Sequence, residues 1–253
     1  MDSAEEELLP GGNVAAAVVR VGSTVRKPAG PATPAVEALH THLAAAGCDA
    51  APRTLGRDSL DRHVLEYVPG PTADTVAPLT AAELNRVGTL VRRLHDAAAD
   101  FTPPADARWQ VVIPPDRVEL ACHHDLAPWK LVLGADRWVF IDWDGAGPGS
   151  RLWDLAYAAT GFVFLPGGVD PDADGPRLRA LVDGYRLDPD QRRHLPALIT
   201  AHTRGMVDLL RHSSETGVQP WARLHAEGHA QPWQAAADFV DTHHDHWVET
   251  LLT

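Results

Sequence analysis

The chain has 253 residues, of which 45% are hydrophobic and 22% charged, and a formal net charge of −12 at neutral pH. That length holds one large domain or two small ones and is enough to bury a sizeable core. The acidic balance argues against a general nucleic-acid binder, which needs basic surface for phosphates; it would attract a cationic small molecule, although many acidic proteins bind none.

Two cysteines, Cys48 and Cys122, are too few for a disulfide framework, which points to a reducing, cytoplasmic setting. The first residues, Met1 to Glu7, are acidic and lack the basic and apolar parts of a signal peptide. No apolar run approaches the roughly 18 residues that a membrane span needs, so no membrane partner is expected.

In chain order, residues 6 to 27 read as short strands broken by turns. Pro10-Gly11-Gly12-Asn13 is a turn signal, Val14 to Arg20 a strand, Val21-Gly22 a second turn and Thr24 to Lys27 a further strand. Val36, Leu39 and Leu43 recur at helical spacing between Pro34 and Ala46. Arg53 to Gly56 and His63 to Val68 follow as strands, and Pro69-Gly70-Pro71 ends them. Thr80 with Glu83 forms a capping box ahead of Leu84, Val87, Val91 and Leu94. The acidic run Asp170, Asp172, Asp174, with Gly167-Gly168 and Pro171, reads as a loop. Asp188-Pro189 with Gln191 starts a helix that Pro196 is expected to break or kink. Residues 197 to 212 and 231 to 252 read as helices, and the histidines in Thr242 to Trp247 read as solvated rather than as a metal site. The order predicts an α+β, bilobal architecture. Residues 1–68 form a small antiparallel sheet with one helix, and residues 69–253 a mainly helical lobe with a loop-and-strand motif near its start.

That motif runs from Cys122 to Asp144, Cys-His-His-Asp-Leu-Ala-Pro-Trp-Lys to Phe-Ile-Asp-Trp-Asp. It sets Asp125 on a loop after a histidine pair and Asp142 at the end of an apolar strand, the pattern of a phosphoryl-transfer site. Such chemistry is positioning plus charge neutralisation, and needs a phosphate cradle, a cation, metal-binding carboxylates and a base. Asp125 would orient an acceptor hydroxyl and take its proton. Asp142 would bind Mg²⁺ bridging phosphate oxygens, with Asp144 assisting or only capping the following turn. Asp154 would accept backbone N–H bonds from the loop, and His123 would hold the loop rather than bind metal. Lys27, pointing opposite to Arg26, would contact the α- and β-phosphates; a solvated edge charge is the competing reading, and Glu37 on the next helix is a candidate partner or a solvated charge. Gly11 and Gly12 would let backbone amides approach phosphate. Taken alone they are better explained as a plain hairpin turn. The backbone of Glu66-Tyr67-Val68 would take the adenine edge.

Together these segments resemble the aminoglycoside phosphotransferase family of the protein-kinase-like superfamily. The likeness covers nearly the whole chain in order. It runs from Gly11-Gly12 and Thr24 to Pro28 through Val64 to Gly70, Leu90 to Asp96 and Cys122 to Trp129, to Phe140 to Asp144 and Trp153 to Ala156. The resemblance implies a bilobal fold with ATP in the cleft, Mg²⁺, and transfer of the γ-phosphate to the hydroxyl of a small molecule, aminoglycoside or other. One position departs from it. The family carries a metal-binding asparagine where this chain has Lys130, and a protonated lysine has no acceptor to offer a metal. Two readings stay open. In one, the chain is an active phosphotransferase with Lys130 as a cationic stand-in. In the other it is a catalytically impaired, pseudokinase-like protein that binds a nucleotide or small molecule. A helical interaction module without nucleotide leaves the motif order unexplained.

Overall fold

A period of two governs the first part of the chain. In the computed structural model, which describes residues 5–9, 18–165 and 170–253, strands β1 (Glu7–Leu8), β2 (Val19–Val21), β3 (Thr24–Lys27), β4 (Thr54–Arg57) and β5 (His63–Glu66) form one antiparallel sheet in the order β1-β2-β3-β5-β4. Gly11, Gly12 and most of the expected strand from Val14 to Arg20 lie outside the described residues, as do Gly167 and Gly168. Val21, expected in a turn, is the last residue of β2, and the turn falls on Gly22 at φ +59°. Alternation along β3 buries Lys27 and sends Arg26 outward to Asp58 at 3.3 Å. Strand β5 stops at Glu66, two residues before the expected Val68.

Helix α1 (Thr33–Ala45) carries proline in its first turn and buries Val36, Leu39 and Leu43, as its spacing requires. Helix α2 (Ala81–Ala98) opens on the reciprocal capping box. Thr80 Oγ1 accepts from the Glu83 amide at 3.3 Å, and the Glu83 carboxylate accepts from the Thr80 amide at 2.8 Å. Such a cap contributes about 1 kcal/mol. Its apolar stripe, Leu84, Val87, Leu90, Val91 and Leu94, joins α1 to the later helices in one continuous core.

Two short antiparallel pairs follow, β6 (Leu120–Cys122) with β9 (Gly147–Gly149) and β7 (Leu131–Leu133) with β8 (Trp138–Phe140). Helix α3 (Arg151–Ala159) widens into a π-helical turn over Thr160–Phe164. The remaining helices are α4 (Pro171–Tyr185), α5 (Pro189–Thr216), α6 (Trp221–Ala226), α7 (Ala230–Thr242) and α8 (His244–Leu252). The chain is thus α+β and bilobal, with a small sheet first and mostly helices after. Among the described residues no helix is long and apolar enough to cross a membrane.

Three expectations are corrected. Asp170 to Asp174 is not a loop. Asp170 caps α4, accepting from the Asp172 amide at 3.1 Å, and Asp172 and Asp174 lie in the first turn, where the helix dipole favours negative charge. Pro196 does not end a helix, since α5 runs from 189 to 216 with Pro196 buried in it. Packing of α5 against α3, α7 and α8 offsets the one lost hydrogen bond. The single helix expected over 231 to 252 is two, divided at His243 (φ −106°, ψ 24°). The break lets Trp247 enter the core, fully buried, with its indole N–H donating to Val240 O at 3.1 Å.

Helices α2 and α4 cross at glycine on both sides. A Cβ on Gly88 would stand 1.9 Å from Leu181 O, and one on Gly184 would stand 1.9 Å from Asn85 O. Both obstacles are backbone and cannot rotate away. Gly88→Ala or Gly184→Ala is expected to destabilise the protein by about 1–3 kcal/mol or more. Gly30→Ala, where a Cβ meets nothing within 4 Å, should stay within about 0.5 kcal/mol of the parent in thermal unfolding.

Candidate active site

The two short strand pairs bring two distant loops together. β6 leads into residues 123–130 and β7 leaves them; β8 leads into residues 141–146 and β9 leaves them. Because Cys122 pairs with Gly147 and Leu131 with Phe140, both loops emerge between the same two ladders. The Ile141 amide donates to Lys130 O at 2.8 Å and holds the loops side by side. Asp125 and Asp142 are the residues this arrangement makes neighbours.

The first loop is hung from one buried carboxylate. Asp154, on α3, accepts from the His123 amide at 3.0 Å, the His124 amide at 2.8 Å and His95 Nε2 at 3.0 Å. Burial alone would raise the Asp154 carboxyl. The His95 hydrogen bond and the neighbouring His124 and His123 outweigh it and hold the group well below the usual carboxylate range. Tyr185 Oη lies 2.7 Å from His95 Nδ1, so His95 can donate to Asp154 from Nε2 and accept from the phenol. Cys122 approaches the same group, but burial pushes its thiol well up, and His95 and Asp154 are already committed to each other and to the loop. The cluster is a hydrogen-bond network, not a metal centre.

His123 holds the loop as expected. Its Nδ1 accepts from the Asp125 amide at 3.2 Å, and its Nε2 donates to Ile141 O at 3.1 Å. That assignment is neutral, and burial lowers the ring to about 4. His124, at φ +63°, donates from Nε2 to Pro148 O at 3.1 Å. Asp142 also has a left-handed backbone, φ +64°, an uncommon state that re-aims its side chain away from the strand direction.

Five charged side chains meet in a row. Lys27 Nζ, arriving from β3, lies 3.2 Å from Asp142 Oδ1 and 2.6 Å from Asp144 Oδ2. Lys130 Nζ contacts Asp142 Oδ2 directly and lies 3.5 Å from Asp125 Oδ2. Each ammonium therefore bridges two carboxylates, leaving one negative charge uncompensated. Burial would raise Asp142, but Lys27 and Lys130 outweigh it and hold the carboxyl below the usual range. Burial would lower Lys130, but Asp142 and Asp125 outweigh it and hold its ammonium above the ordinary value. Asp125 moves the other way. Burial raises it to about 6, against the pull of Lys130 and of a hydrogen bond from Tyr157.

Glu37 is not the partner of Lys27: it binds Arg57 at 3.0 Å, and the carboxylates of the second loop take the lysine instead. The α1 side chain that faces this region is His40, buried edge-on against Trp143 at 5.2 Å between ring centres. The Glu66 carboxylate pairs with Arg53 at 3.2 Å and Arg137 at 2.7 Å. The amides of Glu66 and Tyr67 donate to Arg53 O and Ser23 O, so neither is available to a ligand.

One residue was not anticipated from sequence. Tyr157 Oη donates to Asp125 Oδ1 at 2.8 Å, and its ring stacks on Trp233 with centres 5.7 Å apart. Its signal was present: Tyr157 lies three residues after Asp154 on one helix, so both face the loop.

No family model matches the chain. It is 29% identical, over 93% of its length and 94% of the relative's, to the trifolitoxin immunity protein of Rhizobium leguminosarum bv. trifolii. Its structure is similar to an amicoumacin kinase solved with AMP-PNP, Ca²⁺ and Ami (TM-score 0.70, 12% identity, 95% of this chain and 89% of that one). It is similar to an aminoglycoside phosphotransferase from Alicyclobacillus acidocaldarius (0.62, 14%, 99% and 93%). It is also similar to a choline/ethanolamine kinase family protein from Mesorhizobium loti (0.59, 18%, 99% and 93%). The chain has the fold that these solved small-molecule kinases share.

Asp154→Asn replaces one acceptor of the converging N–H groups with a donor amide. The variant is expected to lose about 3–5 kcal/mol near neutral pH. A depressed carboxyl contributes stability above its unfolded pKa, near 4, and loses it as pH falls further. The gap in melting temperature between parent and variant should therefore be full at pH 6–7 and narrow below about pH 4.

Proposed function

We propose that the chain is an ATP-dependent phosphotransferase that moves the γ-phosphate to a hydroxyl of a small molecule. The observation that carries this reading is the meeting of Asp125 and Asp142 on one ammonium, beside the lysine that reaches Asp142 from the sheet. A base, a metal-type carboxylate and a phosphate-binding cation stand together in the fold of known small-molecule kinases.

In the proposed step the acceptor oxygen forms a bond to the γ-phosphorus. The bond from that phosphorus to the β–γ bridging oxygen breaks, and ADP leaves with the electron pair. The acceptor proton passes to the Asp125 carboxylate, which is mostly ionised at pH 7 with a pKa of about 6. Lys27 turns from Asp142 and Asp144 to the α- and β-phosphates. Val68 offers its amide to adenine, since those of Glu66 and Tyr67 are taken. Gly11 and Gly12 remain candidates for the phosphate cradle. Asp142 and the half-exposed Asp144 are hard oxygen donors that fit Mg²⁺ once Lys27 has moved. When bound there, Mg²⁺ would neutralise charge on the phosphate oxygens.

The acceptor reading follows from charge and likeness. A chain carrying −12 favours a cationic acceptor, and relatives in fold are named as kinases of choline or ethanolamine and of aminoglycosides. The full-length likeness to an immunity protein favours a toxic compound as the molecule handled, in the cytoplasm where ATP is available. A second reading, neutralisation by binding without transfer, is favoured by Lys130 standing at a metal position.

Asp125→Ala is expected to lower transfer to a hydroxylated amine by about 10²–10⁴-fold, while AMP-PNP binding, followed by thermal shift, persists. Unchanged turnover would refute the base assignment; no phosphorylated product from the parent protein with any acceptor would favour binding without transfer.

The acidic limb of kcat/KM should rise through about pH 6 as Asp125 ionises. Tyr157→Phe removes a hydrogen bond that favours the ionised form and should move that limb to higher pH. A limb that stays in place would mean that Tyr157 only packs.

A further inference from the structure

We infer that the Lys130 ammonium permanently occupies one of two cation places at this site, so that a nucleotide is bound with no more than one divalent metal. The inference rests on the phosphotransferase reading and sharpens it.

Three carboxylates, Asp125, Asp142 and Asp144, define two gaps, and each gap is bridged by an ammonium. The two bridges differ. Lys27 enters from the sheet, and one of its partners, Asp144, is half exposed. An incoming phosphate can draw that ammonium away and leave the gap between Asp142 and Asp144 to a metal. Lys130 has no such exit. It sits in the same loop as Asp125, in the short 3₁₀ turn Pro128–Lys130, with its amide donating to Ala127 O at 2.9 Å and its carbonyl held by Ile141. Its side chain is 14% exposed and lies between two carboxylates on loops already clamped together. Withdrawing it would leave Asp125 without its ammonium and Asp142 with Lys27 alone.

The donor set gives the same answer. Protein kinases hold their second metal between the strand-end Asp and an Asn carbonyl of the catalytic loop. This chain contains only two asparagines, Asn13 and Asn85. Neither is in the loop, and Asn85 is on α2, donating to Ala180 O at 3.2 Å. Lysine offers three N–H donors and no acceptor. With two directed at Asp142 and Asp125, the third is free to meet a phosphate oxygen. The residue can neutralise charge where a metal would, but cannot hold one.

Counting bound Mn²⁺ by electron paramagnetic resonance, at saturating AMP-PNP, tests this. The parent protein should hold no more than one Mn²⁺ per bound nucleotide, and Lys130→Asn should hold two. Lys130→Met removes the charge without adding an acceptor. It should keep the parent count and bind AMP-PNP roughly tenfold more weakly, as expected for loss of one charge-assisted contact. Two Mn²⁺ on the parent, or Lys130→Met binding as tightly as the parent, would overturn the inference and leave the phosphotransferase reading standing; a folded Lys130→Asn still at one would do the same. If Lys130→Asn fails to fold, the parent count and the methionine variant decide. No AMP-PNP binding by the parent, with or without Mn²⁺, would instead remove the phosphotransferase reading on which the inference stands.

Discussion

The alternating row Lys27–Asp142–Lys130–Asp125 is the constraint from which the rest of the site follows. None of the four could be buried alone, because taking a single charge out of water costs several kcal/mol. Two unit charges about 4 Å apart attract by about 4 kcal/mol at an effective dielectric of 20, so each member stabilises the next. The row also crosses the molecule. Lys27 belongs to the sheet, while Asp142, Lys130 and Asp125 belong to the loops between the two short strand pairs. Deleting one member would strand its neighbours, whereas a bound phosphate would give Lys27 an alternative partner. The same charges therefore serve two states, one closed on itself and one turned toward ligand.

Such a row needs a rigid floor, and Asp154 supplies it. This carboxylate spends its acceptors on backbone amides of His123 and His124 and on His95. The loop that carries Asp125 is thus fixed through its backbone. Tyr157 adds a side-chain restraint from the same helix, and α3 is seated on α5. The close crossing of α2 and α4 positions His95 and Tyr185, the far end of the same network. Packing at Gly88 and Gly184, outside the motif, thereby reaches the Asp125 loop through a continuous line of hydrogen bonds.

The carboxylate pair, the Asp154 anchor and the neutral His123 brace were legible in the sequence because each is a local pattern: a loop residue, a strand end, a helix start. What was hidden depends on which surfaces meet. Alternation showed that Lys27 and Arg26 point opposite ways, but not which of them is buried, nor that two loop carboxylates, rather than Glu37, lie opposite Lys27. The acidic run before Tyr185 carries Pro171 and follows Gly167-Gly168, and so read as a loop. The helix forms because Asp170 caps it and α2 covers its apolar face. Pro196 misled for the same reason in reverse, its local cost being overridden by packing on several helices. The division at His243 had no glycine or proline to announce it; burial of Trp247 decides it.

On the proposed reading, a lysine in place of a metal ligand would change more than a count of ions. A divalent metal is exchangeable, arrives with its nucleotide and carries two charges; the Lys130 ammonium is tethered, always present and carries one. Nucleotide affinity at such a site would track the free metal concentration less steeply. The cost falls on the reacting state, where charge develops on the phosphoryl oxygens and one positive charge must serve where two would have stood. Asp125 feels the exchange too, because the cation beside it favours its ionised form and offsets part of what burial does to it. If Asp125 is the base, as proposed, a fixed neighbour that favours its ionised form, rather than a metal that comes and goes, would keep it ready before any nucleotide binds. The substitution therefore alters how the site is charged without removing the group that would accept the proton.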